Sequence, residues 1–378
     1  DENARKGYDD LRQAVETCGM VEQMTSDEFL LQFTGDTFWA DNCEDVAFNT
    51  FPAAFLPDYR GLRYLTAPNM VVSDSKNHAP GIDNDGPFLN MNPFSTRCCQ
   101  HNHCGGWANY SEYSWMATTD NGLAALLYSA GSVVAKVGEI GTTVTLVTKT
   151  NYPFEDTIRI QVKTAGEVRF PLLLRVPSWT QNASVAINGR KISTIAKPGA
   201  CLKIAQTWRD GDLITLRFPM RLQLRTWEKN KNSVSVNYGP VTFSLKIDEL
   251  YVKADSAKTA ISDSGWQASA DPEKWPSYEI LPQSDWNFGL VLNKEDLKKS
   301  FSVVHKSWPA DGYPFTNENA PIEIQARGKR IPAWTIDQDG LCGVLPQSPV
   351  STEEPAVPVT LVPMGGARLR IAALPVVS

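Results

Sequence analysis

From Leu123 to Lys246 the chain alternates apolar and polar residues in short runs, and this period of two limits its folding more than any other feature. The runs are "VGEIGTTVTLVTKT", "DTIRIQVKT", "VRFPLLLRVPSW", "ASVAINGRKI", "DLITLRFPMRLQLRTW" and "NSVSVNYGPVTFSLK". β-Branched residues fill them, and Gly, Asn and Asp separate them. That is the pattern of half-buried strands joined by tight turns. Asn188-Gly189 suits a two-residue hairpin loop, because both residues tolerate positive φ. Short antiparallel strands at this spacing predict a β-sandwich. The C-terminal run "VPVTLVPMGGARLRIAALPVV" predicts two more strands. Residues 250 to 330, rich in Ser, Trp and Pro, are less regular.

Ahead of the turn signal Asp120-Asn121-Gly122 the period changes. Leu11, Val15, Met20, Val21, Met24 and Phe29 recur at helical spacing. Thr37, Phe38, Cys43, Val46, Ala47 and Phe51 suit a second amphipathic helix that ends near Pro52. A loop region from Pro57 to Pro93 follows, and a third helix is expected in "GWANYSEYSWMA". The fold class expected is therefore a multi-domain α + β chain. It has a helical segment over 1–117, a β-sandwich over 118–245 and a second β-rich module over 246–378.

The bulk numbers remove several function classes. A chain of 378 residues can bury a large core without disulfide staples. Its net charge of -6 argues against a nucleic-acid or anionic-membrane partner, either of which calls for a basic patch. No apolar run approaches the roughly 20 residues of a membrane helix. Eleven Trp and eleven Tyr are compatible with sugar binding, and equally with an aromatic core. The first residues, "DENARKGYDD", hold neither Met nor the apolar core of a signal peptide. They begin almost inside a helical pattern, so the chain is expected to be the remainder of a longer protein.

One short stretch, "FSTRCCQHNHCGG", holds three of the seven cysteines and two of the four histidines. An odd cysteine count argues against a complete disulfide framework. Adjacent cysteines seldom bond each other, because the ring is strained. A zinc ion takes about four ligands from Cys, His and carboxylates. Cys98, Cys99, His101, His103 and Cys104 are all candidates, and spacing does not choose among them. Glu16-Thr17-Cys18 offers a carboxylate and a thiol two residues apart. Such positions diverge on a regular helix and converge only where the backbone is extended or irregular, as at a helix start. Cys43, Cys201 and Cys342 read as small buried hydrophobes.

The segments "VETCGMVEQM", "NCEDVAFNTFPAAFLPD", "LRYLTAPN", "RCCQHN" and "VRFPLLLRVPSW", in this order, resemble glycoside hydrolase family 127, the β-L-arabinofuranosidases and their DUF1680 relatives. The resemblance covers residues 1 to about 245. Relatives often carry Cys-Cys-Pro-Pro-Asn where this chain has Gln100 and His101 in place of the prolines. The resemblance implies the C-terminal part of an (α/α)6 toroid followed by antiparallel β-sandwich domains. It implies a zinc ion held by Glu16, Cys18, Cys98 and Cys99, with neither His101 nor His103 a ligand. It implies Cys98 as nucleophile, Glu2 as general acid/base and Tyr64 beside the sugar. The implied substrate is an arabinose-containing glycan, with no nucleic-acid or membrane partner and a homodimer left open. A periplasmic or extracellular location is favoured over a cytoplasmic one.

This chemistry makes physical sense. A retaining glycosidase needs one group to protonate the leaving oxygen and another to attack the anomeric carbon. A thiol is mostly protonated at neutral pH, and zinc ligation would hold it as the thiolate. Two other readings compete. One is a non-catalytic carbohydrate-binding or structural fragment with a structural zinc site. The other is a disulfide from Cys18 to Cys98 or Cys99.

Overall fold

The computed structural model describes residues 11–78, 88–94, 97–193, 197–259, 271–293 and 295–378. Strands dominate, and among the described residues three α-helices have eight residues or more: α1 (Thr17–Thr34), α2 (Phe38–Asp45) and α3 (Arg97–Glu112). None is long and apolar enough to cross a membrane. The chain divides into two compact units. One holds Asp1–Val21, Ala47–Cys104 and Leu222–Ser378, and the other holds Glu22–Val46 and Gly105–Arg221.

The helical expectations are corrected at their ends. α1 begins at Thr17 rather than near residue 10, because Val15–Glu16 pairs as a short strand with Leu65–Thr66. It ends where Gly35, at φ +67°, donates its amide to the Leu31 carbonyl, the left-handed cap that glycine adopts without steric cost. α2 continues as a wider turn over Val46–Thr50 and a short 3₁₀ turn over Pro52–Ala54. Residues 98–104 are helical, ahead of the expected third helix. α3 starts at Arg97, carries the whole cysteine motif and stops at Glu112, and Trp115–Ala117 is a strand.

In the second unit six strands form an antiparallel sheet in the order Arg190–Lys191, Ser184–Ile187, Leu213–Arg217, Thr157–Thr164, Thr142–Lys149 and Gly131–Val137. A four-stranded sheet runs Ala200–Trp208, Val168–Val176, Leu123–Ala125 and Trp115–Ala117. The expected alternation is present: Val144 and Leu146, Ile158, Ile160 and Val162, and Phe170, Leu172 and Leu174 are all buried. Each strand thus presents one face to the core.

Arg175 anchors this unit. It is fully buried, and its guanidinium donates to the Leu126 carbonyl, to Asp41 and to Glu44. Tyr152 donates to the other oxygen of Glu44 at 2.6 Å, and Tyr128 donates to the Arg175 carbonyl at 2.5 Å. Two carboxylates of α2 are thereby tied to the strand Val168–Val176. Glu28 of α1 is treated differently. It is fully buried, its Oε2 finds no partner, and burial pushes its pKa up to about 8.

The strands Leu222–Trp227, Ser233–Tyr238 and Val241–Leu245 lie in the other unit. They join Val357–Pro363, Ile322–Arg330, Phe288–Val291 and Val376–Val377 in one sheet, with Ser302–His305 on Ile322–Arg330. The described residues between 250 and 330 are therefore more regular than their sequence pattern indicates. The C-terminal tail folds back on the stretch from Phe48 to Asn69. Arg368 is fully buried and donates to the carbonyls of Phe55, Gly366 and Phe315. Arg63 donates to Leu89, Arg368 and Ser73 at 2.9–3.0 Å. Asn69 accepts the amides of Ala372 and Ala373 and donates to the Ala373 carbonyl. Gly365 permits this approach, since a Cβ there would lie 2.2 Å from the Phe48 carbonyl oxygen.

Two expected outcomes follow from the buried charges. Arg175→Met leaves Glu44 buried without its cation, and removing one partner of a buried pair costs about 3–5 kcal/mol. A fall in the denaturation midpoint at unchanged m-value would report it. Glu28 has a folded pKa above its unfolded value, so the folded state holds the extra proton. Its contribution is full below about pH 4.5 and is lost as pH rises through about 8. Glu28→Gln should remove that slope, and at pH 9 it should be more stable than wild type by a few kcal/mol at most. Parallel stability–pH curves for the two proteins would refute this.

Candidate metal centre

Three thiols converge although Cys18 lies 80 positions from Cys98. The sulfurs of Cys18, Cys98 and Cys99 all fall within 4.8 Å of one another. Cys98 Sγ is 3.8 Å from Cys18 Sγ and 3.9 Å from Cys99 Sγ. The sequence problem of Glu16 and Cys18 is resolved by a change of backbone between them. Glu16 is the last residue of an extended pair with Leu65, and Cys18 lies in the first turn of α1. Cys18 Sγ and Glu16 Oε2 come to 3.1 Å. The break is held by Thr17, whose amide donates to the Tyr64 carbonyl at 2.9 Å and whose hydroxyl donates to the Arg63 carbonyl at 2.6 Å.

Tyr64 immediately precedes the strand Leu65–Thr66 and donates its hydroxyl to Glu16 Oε1. Its ring packs against Phe88 at 5.0 Å. The Cys18 amide donates to Cys99 Sγ at 3.4 Å. No spacing or periodicity in the sequence announces these contacts. The short run Arg63-Tyr64-Leu65-Thr66, inside the stretch read as loop, is the one signal that a strand there could pair with the Glu16 segment.

Burial separates the adjacent cysteines. Cys99 is wholly buried, Cys18 nearly so, and Cys98 is exposed. Successive residues on a helix point about 100° apart, which puts one sulfur inward and the next outward. His101 is exposed, and His103 gives its Nδ1 to the Cys99 carbonyl at 3.0 Å. Neither histidine joins the sulfur cluster, and Cys104 is exposed and bonds the His101 carbonyl. Cys43 and Cys342 are buried as expected, but Cys201 is only partly so. None of the seven cysteines is disulfide-bonded, which corrects the reading of a Cys18 bridge. Glu2 lies outside the described residues.

The electrostatics of the cluster favour a cation. The Cys18 thiol is pushed far up, first by its hydrogen bond with Cys99, then by burial and by the charges of Cys99 and Glu16. Tyr64 is pushed up by burial and then by Glu16, Cys98 and Cys99. Each of these side-chain and burial effects opposes further negative charge on the two groups. A soft dication among three thiols and a carboxylate would reverse that sign, and the donor set suits one.

Two family models match the chain. One, β-L-arabinofuranosidase, GH127 catalytic domain, matches residues 1–112; the other, β-L-arabinofuranosidase, GH127 middle domain, matches residues 122–220. A sequence search of curated proteins finds no match. Solved structures of similar fold include a glycoside hydrolase, with a TM-score of 0.67, 19% identity, and coverage of 96% of this chain and 52% of the other. A GH127 β-L-arabinofuranosidase from Geobacillus stearothermophilus T6 superposes with a TM-score of 0.65 and 18% identity over 98% of this chain and 50% of the other. A further GH127 β-arabinofuranosidase gives 0.66 and 18%, over 99% and 52%. The chain spans about half the length of these solved structures. With both family models matched in order over more than half of its residues, the chain belongs to glycoside hydrolase family 127.

Proposed function

We propose that the chain is the C-terminal portion, toroid end included, of a zinc-dependent retaining glycosidase that releases terminal β-L-arabinofuranose or a similar pentose from glycans. The observation that carries this reading is the asymmetry of the cluster: three thiols within 4.8 Å, of which Cys98 alone is exposed. A structural site of four donors has no need of an accessible sulfur. A nucleophile has to be reached by its substrate.

Glu16, Cys18, Cys98 and Cys99 would hold the zinc. Bound there, zinc would keep the thiols deprotonated at neutral pH. The chain's own residues do the rest. Tyr64 fixes one oxygen of Glu16 by hydrogen bond, which leaves the other beside Cys18. The buried Cys18 and Cys99 set the position of the helix turn that presents Cys98. The Cys98 sulfur attacks the anomeric carbon, and the bond to the leaving oxygen breaks as Glu2 gives that oxygen a proton. Water, losing its proton to Glu2, then displaces the sulfur, so two inversions retain configuration.

About one zinc per chain should copurify, and Cys99→Ala should lose it, since removal of a thiolate ligand breaks a site that releases protons on binding. Full zinc in that variant by elemental analysis would remove Cys99 from the ligand set. For the full-length enzyme, Cys98→Ser should abolish most turnover, because a serine hydroxyl does not ionise near neutrality. Glu2→Gln should cost about 10²–10⁴-fold on natural disaccharides and far less on aryl glycosides, whose leaving groups need little protonation. Equal losses on both substrate types would take Glu2 out of the acid role.

A further inference from the structure

A chain of aromatic rings leads away from the cysteine helix. The His103 ring lies 5.7 Å from Phe55, Phe55 lies 5.6 Å from Tyr59, and Tyr59 lies 5.9 Å from Tyr313. Phe55 is buried, but Tyr59 is 48% exposed. Tyr59 occupies a tight turn in which Leu56 accepts the Tyr59 amide and donates its own amide to Gly61, both at 2.9 Å. Its φ of +57° is one that a bulky L residue rarely adopts. Glycine would fill this position without strain, yet the chain holds a half-exposed ring there. Such outliers persist where something other than stability requires the side chain. The next residue, Arg60, is exposed and lies over the ring of Trp275 at 5.7 Å, and Trp275 is itself 45% exposed. Asp58 borders the same turn and accepts the Arg60 amide at 3.0 Å.

Two half-exposed aromatic rings flanked by a guanidinium and a carboxylate match a sugar chemically. The C–H face of a sugar ring is apolar and lies against an aromatic face, while its edge hydroxyls need donors and acceptors. A protein partner would favour a larger continuous apolar surface than two rings interrupted by charge. We propose that Tyr59, Arg60 and Trp275 form a sugar-binding platform that takes units of the glycan beyond the one cleaved. This rests on the glycosidase reading above, and it adds where the remainder of the substrate lies.

Calorimetric titration of the full-length enzyme with an L-arabinose-containing oligosaccharide tests it, using Tyr59→Gly, Tyr59→Phe and Trp275→Ala. Tyr59→Gly relieves the backbone strain and should fold at least as well as wild type. It and Trp275→Ala should each weaken binding about tenfold, and Tyr59→Phe should stay close to wild type. The kcat/KM for methyl β-L-arabinofuranoside, which has one sugar and nothing to place on the platform, should be unchanged in all three. Oligosaccharide affinity unaltered in Tyr59→Gly and Trp275→Ala would overturn the proposal. So would an equal loss on the methyl glycoside, which would mark a structural role, and so would a wild type that binds no oligosaccharide. If the wild type binds the oligosaccharide but cleaves neither substrate, the glycosidase reading fails and the titration still decides the platform.

Discussion

The site depends on a two-residue antiparallel pairing. Val15–Glu16 meets Leu65–Thr66 in fixed register, and this turns Glu16 away from helical geometry just before α1 begins. A slip by one residue would send Glu16 to the opposite face and break its contact with both Tyr64 and Cys18. So short a ladder has little stability of its own. It is held by its surroundings: Thr17 bonds the carbonyls of Arg63 and Tyr64, and the buried guanidinium of Arg63 ties that segment to Leu89, Ser73 and the Arg368 carbonyl. The C-terminal tail is thus part of what places a carboxylate near the start of the chain.

The two units bury charge by different means. Around Arg175 a cation meets two carboxylates and tyrosine hydroxyls, so the ions are paired and hydrogen-bonded. Around Arg63 and Arg368 the guanidiniums spend their donors on backbone carbonyls and the Ser73 hydroxyl, and the pKa of Arg63 is brought down to about 9 by burial. The first arrangement resists loss of a partner poorly. Apart from Ser73, the second binds main chain, which substitution of the accepting residues leaves in place.

Much of the strand region was legible in the sequence, because a period of two with one buried face needs only local information. Val144, Leu146, Ile158 and Ile160 show it directly. The partners of those strands were not legible. Val241–Leu245 resembles the runs before it, yet it hydrogen-bonds to Val357–Pro363, more than a hundred residues on. Helix α3 was missed at its beginning, since Cys, His, Asn and Gly are weak helix formers and the motif "RCCQHNHCGG" has no apolar stripe. At the candidate site, the convergence of Cys18 with Cys98 and Cys99 was anticipated by resemblance, not by spacing. The Tyr64–Glu16 contact depends on a strand too short for any pattern to announce.

All three clustered sulfurs belong to first turns: Cys18 is the second residue of α1, and Cys98 and Cys99 are the second and third of α3. Amides there lack partners within their own helix, and the aligned peptide dipoles give each helix start roughly half a positive charge. One such amide, that of Cys18, already points at Cys99 Sγ. The main chain itself therefore lowers the cost of holding sulfur as an anion, and exchanging neighbouring side chains would leave that contribution intact. It also makes the difference in exposure between Cys98 and Cys99 a matter of helix phase. The residue at which α3 starts decides which of two chemically identical sulfurs faces outward.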